Sequence, residues 1–173
     1  MINRKVMYST ALSFAFLLLV AIIFLSLVSI QKISGFPTNH TIGHSGASSF
    51  TFGNRTYNFT YVASNISSWQ SGLMNKTITN DTFELFIFPD VSVYPFWMKN
   101  TYSPLDIVWV NGSTVTYIAN ATPCSWYSAD QSNCTVYNSY NQGYTADYVI
   151  EALSGFTNRT GLKVGDKIRI NVA

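Results

Sequence analysis

The sequence predicts a mainly β (α+β) fold, a compact antiparallel β sheet or barrel with one short helix, preceded by an N-terminal transmembrane helix. Residues 6–31 carry no charge, and from residue 48 onward short alternating runs are separated by Gly, Pro and Asn. Aromatic residues make up 16% of the chain and charged residues only 10%. Such alternation is typical of strands, and the composition is unlike that of a disordered chain. We therefore expect a cytoplasmic tip and anchor (residues 1–32), a stalk (33–47) and one β-rich outer domain (48–173).

The predicted anchor is the apolar run of residues 11–30, in which three serines are the only polar residues. At about 1.5 Å per residue, a helix of this length spans a hydrocarbon layer of about 30 Å. A cleaved signal peptide is the alternative, but its apolar region is usually about 7–15 residues long and ends in a small-x-small site. Arg4 and Lys5 precede the run, so the positive-inside rule predicts a cytoplasmic N-terminus. We expect a single-pass cell-membrane protein with its C-terminal domain outside.

Asn-x-Ser/Thr sequons agree with an extracytoplasmic location. Ten of the fifteen asparagines begin one, whereas the frequency of Ser and Thr predicts about three. We therefore predict a glycoprotein. The ten acceptors are Asn39, Asn54, Asn58, Asn65, Asn75, Asn80, Asn111, Asn120, Asn133 and Asn158.

The stalk is rich in Gly, Ser and Thr and contains both histidines, His40 and His44. Their spacing would suit two metal ligands on a helix, but Pro37 and Gly43 argue against a helix. We predict solvated histidines and no metal site.

The sequence of the first half of the outer domain predicts three structural elements. Residues 49–52 and 57–63 form a hairpin around Gly53-Asn54. Residues 65–74 form a short capped helix, and residues 84–88 form a strand that is buried on both faces and stops at Pro89.

The second half predicts a hairpin of residues 105–110 and 113–119, since Asn-Gly suits a tight turn. A polar loop, residues 120–145, follows, and strands at 147–153 and 167–172 close the domain. Cys124 and Cys134 flank nine residues of this loop. In an oxidising compartment a disulfide is the simplest pairing, whereas a zinc site would lack its other ligands and a redox pair is usually Cys-x-x-Cys.

The motifs FWMKNT, PLDI and GLKVGDKI, in this order, make the outer part resemble the domain of unknown function 192 family over about residues 57–172. The resemblance implies a small, secreted or membrane-anchored β-rich domain without an established activity. The chain departs from the family pattern at Ser71, where the family usually has Arg, and at Phe83-Glu84, where it usually has Gly-Met. The sequons and the low charge resemble those of archaeal surface proteins. The main motifs are FWMKNT (96–101), PLDI (104–107) and GLKVGDKI (161–168).

The matched motifs contain the candidate site residues Trp97, Lys99, Asn100, Asp106 and Glu151. One interpretation is a ligand pocket formed by Lys99, Asp106 and Glu151. The favoured interpretation is structural: Lys99 forms a buried pair with Asp106 or Glu151, and the Asn100 side chain bonds to the backbone of a turn.

We expect that the protein is not an enzyme and binds no cofactor, because the outer domain has no histidine and no catalytic motif. A carboxylate-based hydrolase that uses Asp106 and Glu151 is the least favoured alternative. Beyond residue 32 there are seven basic and eight acidic residues, which argues against nucleic-acid binding. The expected function is a non-enzymatic surface or accessory module, as a subunit of a membrane or envelope complex. The alternative is a small-ligand-binding domain.

Overall fold

The computed structural model describes residues 47–124 and 134–173. The predicted anchor, most of the stalk with Asn39, His40 and His44, and Asn133 lie outside these residues. None of the described helices is long and apolar enough to cross a membrane. The elements are β1 (Ser49–Phe52), β2 (Arg55–Asn58), β3 (Tyr61–Ala63), α1 (Ile66–Ser71), β4 (Phe83–Val93), β5 (Phe96–Trp97), β6 (Leu105–Asn111), β7 (Thr114–Ala121), β8 (Val136–Tyr137), β9 (Thr145–Leu153), α2 (Phe156–Thr160) and β10 (Arg169–Asn171).

The strands form three open sheets. The largest has the order β3-β4-β9-β6-β7, a second has the order β10-β1-β2, and β5 pairs with β8. All pairs are antiparallel except β3–β4. The mainly β prediction is therefore confirmed. The barrel alternative is wrong, because β3 and β7 are the two edges of the five-stranded sheet and do not pair with each other.

The five-stranded sheet is covered on both faces, which explains why its central strands are so apolar. On one face a hydrophobic cluster includes Phe50 of β1, Phe156 of α2 and Ile168, which immediately precedes β10. On the other face Trp69 of α1, Leu73 and Phe96 of β5 pack against the sheet. Neighbouring residues of a strand point to opposite faces, so each central strand contributes to both clusters.

The predicted strand at residues 57–63 is instead split between two sheets. Phe59 N–H still donates to the Ser48 carbonyl, whereas Thr60 N–H donates to the Phe83 carbonyl. The chain therefore leaves the three-stranded sheet at Phe59 and continues as β3, parallel to β4. This crossing depends on tertiary packing and not on the local alternation of residues.

Strand β4 also differs from the prediction, because it continues through Pro89. Its pairing with β9 is interrupted between Ile87 and Ser92 and then resumes. Proline lacks an N–H group, and in this irregular stretch no ladder hydrogen bond is required of it. The predicted burial of the strand's first half is confirmed, with Leu85 and Phe86 almost inaccessible.

The predicted capped helix is confirmed as α1. The Asn65 side chain accepts from Ser68 N–H, and the Ser68 hydroxyl oxygen accepts from Asn65 N–H, which is a capping box. The helix ends earlier than predicted, at Gly72, whose φ is 43°. A second helix, α2, was not predicted; it lies between Gly155 and Gly161, both in the left-handed conformation.

The second hairpin is confirmed with a shift of one residue in its turn. Asn111 pairs with Thr114, so Gly112 and Ser113 are the central residues. Of these two, only Gly112 has a positive φ, which is the pattern of a type II′ turn. The predicted disulfide between Cys124 and Cys134 is also present, with the two Cα atoms 5.3 Å apart.

Candidate functional site

The chain has two glutamates, Glu84 and Glu151, and they face each other in the five-stranded sheet. Glu84 on β4 is the direct cross-strand partner of Glu151 on β9. Directly opposed residues of antiparallel strands project from the same face, so the two carboxyl groups are neighbours. Their side chains are buried, with exposed fractions of 2% and 4%. Two acids are thus placed side by side away from water.

One lysine approaches this pair from the loop after α1. Lys76 Nζ lies 3.6 Å from Glu84 Oε2, the single ion pair within the described parts of the chain. The same Nζ lies 3.8 Å from the centroid of the Tyr61 ring. Tyr61 is the parallel partner of Glu84 on β3, so it occupies the same face. Two carboxyl groups therefore share one cation.

The proximity of the two acids changes their protonation. Burial raises the pKa of Glu84, and the charge of Lys76 opposes this effect. Burial and, second, the Glu84 carboxylate raise the pKa of Glu151 to about 8, although the Leu73 N–H and Lys76 lower it. Near neutral pH Glu151 is therefore mostly protonated, while Lys76 stabilises the charged form of Glu84.

The Glu151 carboxyl group lines a cavity of about 130 Å³ that lies between the sheet, α1 and β5. We call it the Glu151 cavity. Glu151 Oε2 accepts no hydrogen bond from any described residue. A Cβ atom on Gly72 would lie 3.2 Å from Phe86 Cζ and 3.6 Å from Glu151 Oε2, so the glycine lets the end of α1 approach the carboxyl group.

Aromatic side chains are six of the fourteen residues that line the cavity, and the polar ends of Trp69 and Tyr94 are already engaged. Trp69 Nε1 donates to the carbonyls of Ala63 and Ile87, and the Tyr94 hydroxyl donates to the Asp90 carbonyl. The polar residues Gln70, Ser71 and Thr101 also line the cavity. Glu151 is the only acid among its described lining residues, and none of them is Lys, Arg or His. The aromatic lining residues are Trp69, Phe86, Phe88, Tyr94, Phe96 and Trp97.

Of the predicted site residues, Trp97 and Glu151 both line this cavity. Trp97 is 46% exposed and lies at the solvent side of the wall. Lys99 is half-buried, and its Nζ lies 5.2 Å from the centroid of the Trp97 ring. The predicted buried pair between Lys99 and a carboxylate is wrong, because in the described structure the paired lysine is Lys76 and its partner is Glu84.

Asn100 lies in a turn, and its backbone conformation is the one that the turn requires. Its φ is 53°, and Thr101 N–H donates to the Met98 carbonyl across it. The third residue of a type II turn requires a positive φ, which Asn tolerates better than most residues. The Asn100 carbonyl also accepts from Asn75 N–H, so this turn is joined to the loop that carries Lys76.

Asp106 is not brought together with Glu151. Asp106 opposes Ala152 on β9, whereas Glu151 opposes Ile107, so the two acids point to opposite faces of the sheet. Asp106 is fully buried and accepts from Asn120 Nδ2 at 2.7 Å and from Thr157 N and Oγ1, both at 2.8 Å. It therefore fastens α2 and β7 to β6.

Sequence reasoning missed Glu84, Lys76 and Gly72. The signal for Glu84 was present, since it stands in the apolar run FELFIF much as Glu151 stands in YVIEAL. The position of Lys76 carries no such signal, because it follows a helix in a polar loop.

The sequon asparagines that the structure describes are at the surface. Of the eight that the structure describes, seven are exposed and Asn111 is half-buried. Asn138, by contrast, is fully buried, bonds to the backbone of Tyr144 and is not part of a sequon. The burial pattern is therefore compatible with glycosylation.

Comparison with known proteins identifies the family. A family model, domain of unknown function 192 (DUF192), described as an uncharacterized ACR, matches residues 51–170. The chain belongs to this family. The resemblance noted in the FWMKNT, PLDI and GLKVGDKI motifs is thus confirmed. No curated protein matches this DUF192 chain.

Two solved structures resemble this DUF192 domain. One is a candidate transcription regulator from Sinorhizobium meliloti 1021, with 29% identity and a TM-score of 0.57 over 73% of this chain and 96% of that one. The other is a protein of unknown function from Novosphingobium aromaticivorans DSM 12444, with 28% identity and a TM-score of 0.54 over 73% of this chain and 89% of that one.

Proposed function

We propose that this DUF192 domain is a non-enzymatic small-ligand-binding module, and that the apolar run of residues 11–30 anchors it in the membrane so that it lies outside the cell. The observation that supports binding is the carboxyl oxygen Oε2 of Glu151, which is buried, has no hydrogen-bond partner among the described residues and lines an aromatic cavity. Ligand sites typically combine apolar and aromatic walls with a few polar groups that fix orientation.

Removal of one aromatic wall tests this proposal. Trp97→Ala removes a lining ring, and Tyr140→Ala is the matched control because Tyr140 is 76% exposed and is not a lining residue. The full chain in a mild uncharged detergent is screened by its melting temperature against small neutral, cationic and anionic aromatic compounds. We expect at least one compound to stabilise the wild type and Tyr140→Ala but not Trp97→Ala. A panel without effect on the wild type would contradict the proposal.

An accessory function within a membrane or envelope complex is the second candidate. Trp97 and Val136 are cross-strand partners on β5 and β8, and both are about half exposed. They form a small apolar surface that a partner protein could cover. Val136→Lys should then release a partner that co-purifies with the wild type, while Val164→Lys, at another exposed valine, should retain it. Equal retention by both variants would argue against this surface.

The anchor and the glycans are part of the same proposal. The uncharged run after Arg4 and Lys5 and the exposure of most described sequon asparagines support an outer, glycosylated domain. Protease added to intact cells should remove the domain, and mass spectrometry of the native protein should find glycans on exposed sequons. A protected domain, or asparagines without glycans, would contradict the location or the modification.

Transcription regulation, which the description of the Sinorhizobium protein names, is not part of the function proposed for this chain. Beyond residue 32 the chain has seven basic and eight acidic residues, which provides no excess of positive charge for the DNA backbone.

A further inference from the structure

The buried pair of Glu84 and Glu151, of which Glu151 lines the cavity, is one positive charge short of neutrality when both acids are ionised. Glu84 and Glu151 are direct neighbours, and Lys76 is the cation that faces them. Uncompensated charge is costly in a buried site, so something must neutralise the second carboxylate. When no cation is bound, a proton held by Glu151 does this. A ligand cation could take its place.

The other ionisable groups around the cavity leave room for a cation. Burial raises the pKa of Tyr94 further above its ordinary value, so this lining residue stays neutral. Tyr61 contacts Lys76 and not the cavity. Lys99 contacts the Trp97 ring but is not a lining residue. No described lining residue therefore presents a positive charge to a ligand.

The cavity also has the contacts that an organic ammonium group needs. Glu151 Oε2 accepts no hydrogen bond from the described residues, and an ammonium group has three donors. Aromatic faces within about 6 Å attract cations and also pack against the apolar part of a ligand. A neutral hydroxyl could satisfy the oxygen, but only a cation would also balance the second carboxylate.

We propose that the ligand of the Glu151 cavity is a small primary amine that binds as its ammonium form and displaces the proton of Glu151. This inference rests on the proposed binding function. No covalent bond of the ligand changes. The ammonium ion enters with its charge, the Glu151 carboxyl group releases one proton to the buffer, and the carboxylate pairs with the ammonium. Binding thus exchanges one cation for another.

Three probes of the same shape test the charge requirement: benzylamine, benzyl alcohol and benzoate. The full chain in an uncharged detergent is titrated calorimetrically at pH 6 and pH 7, in two buffers with different protonation enthalpies. We expect benzylamine to bind at least about tenfold more tightly than benzyl alcohol, and benzoate not to bind. Nearly one proton should be released per benzylamine, and its affinity should rise about tenfold from pH 6 to pH 7, because a competing proton becomes tenfold scarcer.

Glu151→Gln identifies the responsible group, since the amide keeps the shape but cannot ionise. We expect the affinity of Glu151→Gln for benzylamine to be at least tenfold lower than that of the wild type, and we expect no proton release. Asp81→Asn makes the same chemical change at an exposed acid that does not line the cavity, and it should behave like the wild type. If Glu151→Gln does not fold, the proton count and the pH dependence of the wild type decide the question.

The outcomes separate this inference from the proposed function. If benzyl alcohol binds as tightly as benzylamine, or if benzylamine binds without proton release, the cavity binds a ligand but the cation exchange is wrong. If Glu151→Gln binds benzylamine like the wild type, the exchange at Glu151 is likewise wrong. If none of the three probes binds, the inference fails, and the wider compound panel with Trp97→Ala shows whether the proposed function fails with it.

Discussion

Replacement of Glu151 by Gln should change how the stability of this protein depends on pH. In the folded protein, burial and the neighbouring Glu84 raise the pKa of Glu151 from 4.5 to about 8. Between these two values the unfolded chain has lost this proton and the folded chain has kept it. The free energy of unfolding of the wild type should therefore fall as the pH rises from about 4.5 to about 8, by up to about 1.4 kcal/mol per pH unit.

The total effect of Glu151 over that interval is at most about 5 kcal/mol, which is a large part of the stability of an ordinary domain. Glu151→Gln cannot ionise and resembles the protonated wild-type side chain. At pH 5 the variant and the wild type should therefore be similarly stable. At pH 8.5 the variant should be more stable by several kcal/mol.

The assay is urea unfolding of the full chain in mild detergent, followed by tryptophan fluorescence at half-unit steps from pH 5 to pH 8.5. The difference between wild type and Glu151→Gln isolates this residue, because Glu84, whose pKa burial also raises, contributes to both curves. Asp81→Asn is the control and should run parallel to the wild type. A constant difference between wild type and Glu151→Gln across the whole range would refute the argument that Glu151 is a buried, protonated acid.

Three further outcomes are expected. Asp106→Asn should lower the free energy of unfolding by about 1–3 kcal/mol, because Thr157 then lacks part of its buried acceptor; unchanged urea unfolding would contradict this. Lys99→Met should change the free energy of unfolding by less than about 0.5 kcal/mol, because Lys99 is half exposed and has no carboxylate partner among the described residues. A loss of about 3–5 kcal/mol would restore the buried-pair hypothesis. Peptide mapping without reduction should recover Cys124 linked to Cys134, and two free thiols would exclude the bridge.

Local sequence signals predicted those parts of the fold that local interactions determine. The capping box of Asn65 and Ser68 involves residues three apart, and the second hairpin depends on a turn next to Asn111. The crossing at Phe59 and Thr60 was missed because it depends on which sheet offers the next hydrogen-bond partner, in this case Phe83, more than twenty residues away. The alternation of apolar and polar residues predicts an extended strand, but it does not predict which strand pairs with it.

The same limit applies to the candidate site. Glu151 could be selected from the sequence because a carboxylate inside an apolar strand is costly when it is alone. Its neighbours could not be assigned, because the register between β4 and β9 determines that Glu84 faces it. Lys99 was the natural partner by motif, yet Lys76 is the lysine that the loop after α1 brings to the pair. The sequence was therefore enough to select Glu151, whereas the residues around Glu151 depend on the register between β4 and β9.

The two buried acids that the sequence identified differ, because Glu151 lines the cavity and Asp106 does not. Asp106 and Glu151 lie in adjacent strands, but three hydrogen bonds from two residues satisfy Asp106, and these bonds tie elements together. Glu151 receives the Leu73 N–H, while its Oε2 has no described partner and lines the cavity. For stability alone, an apolar side chain of similar size would serve as well or better in such a position. Asp106 is thus explained by the fold. If the cavity binds a cation as proposed, that function explains Glu151, and this is why the calorimetric proton count is the decisive measurement for the domain.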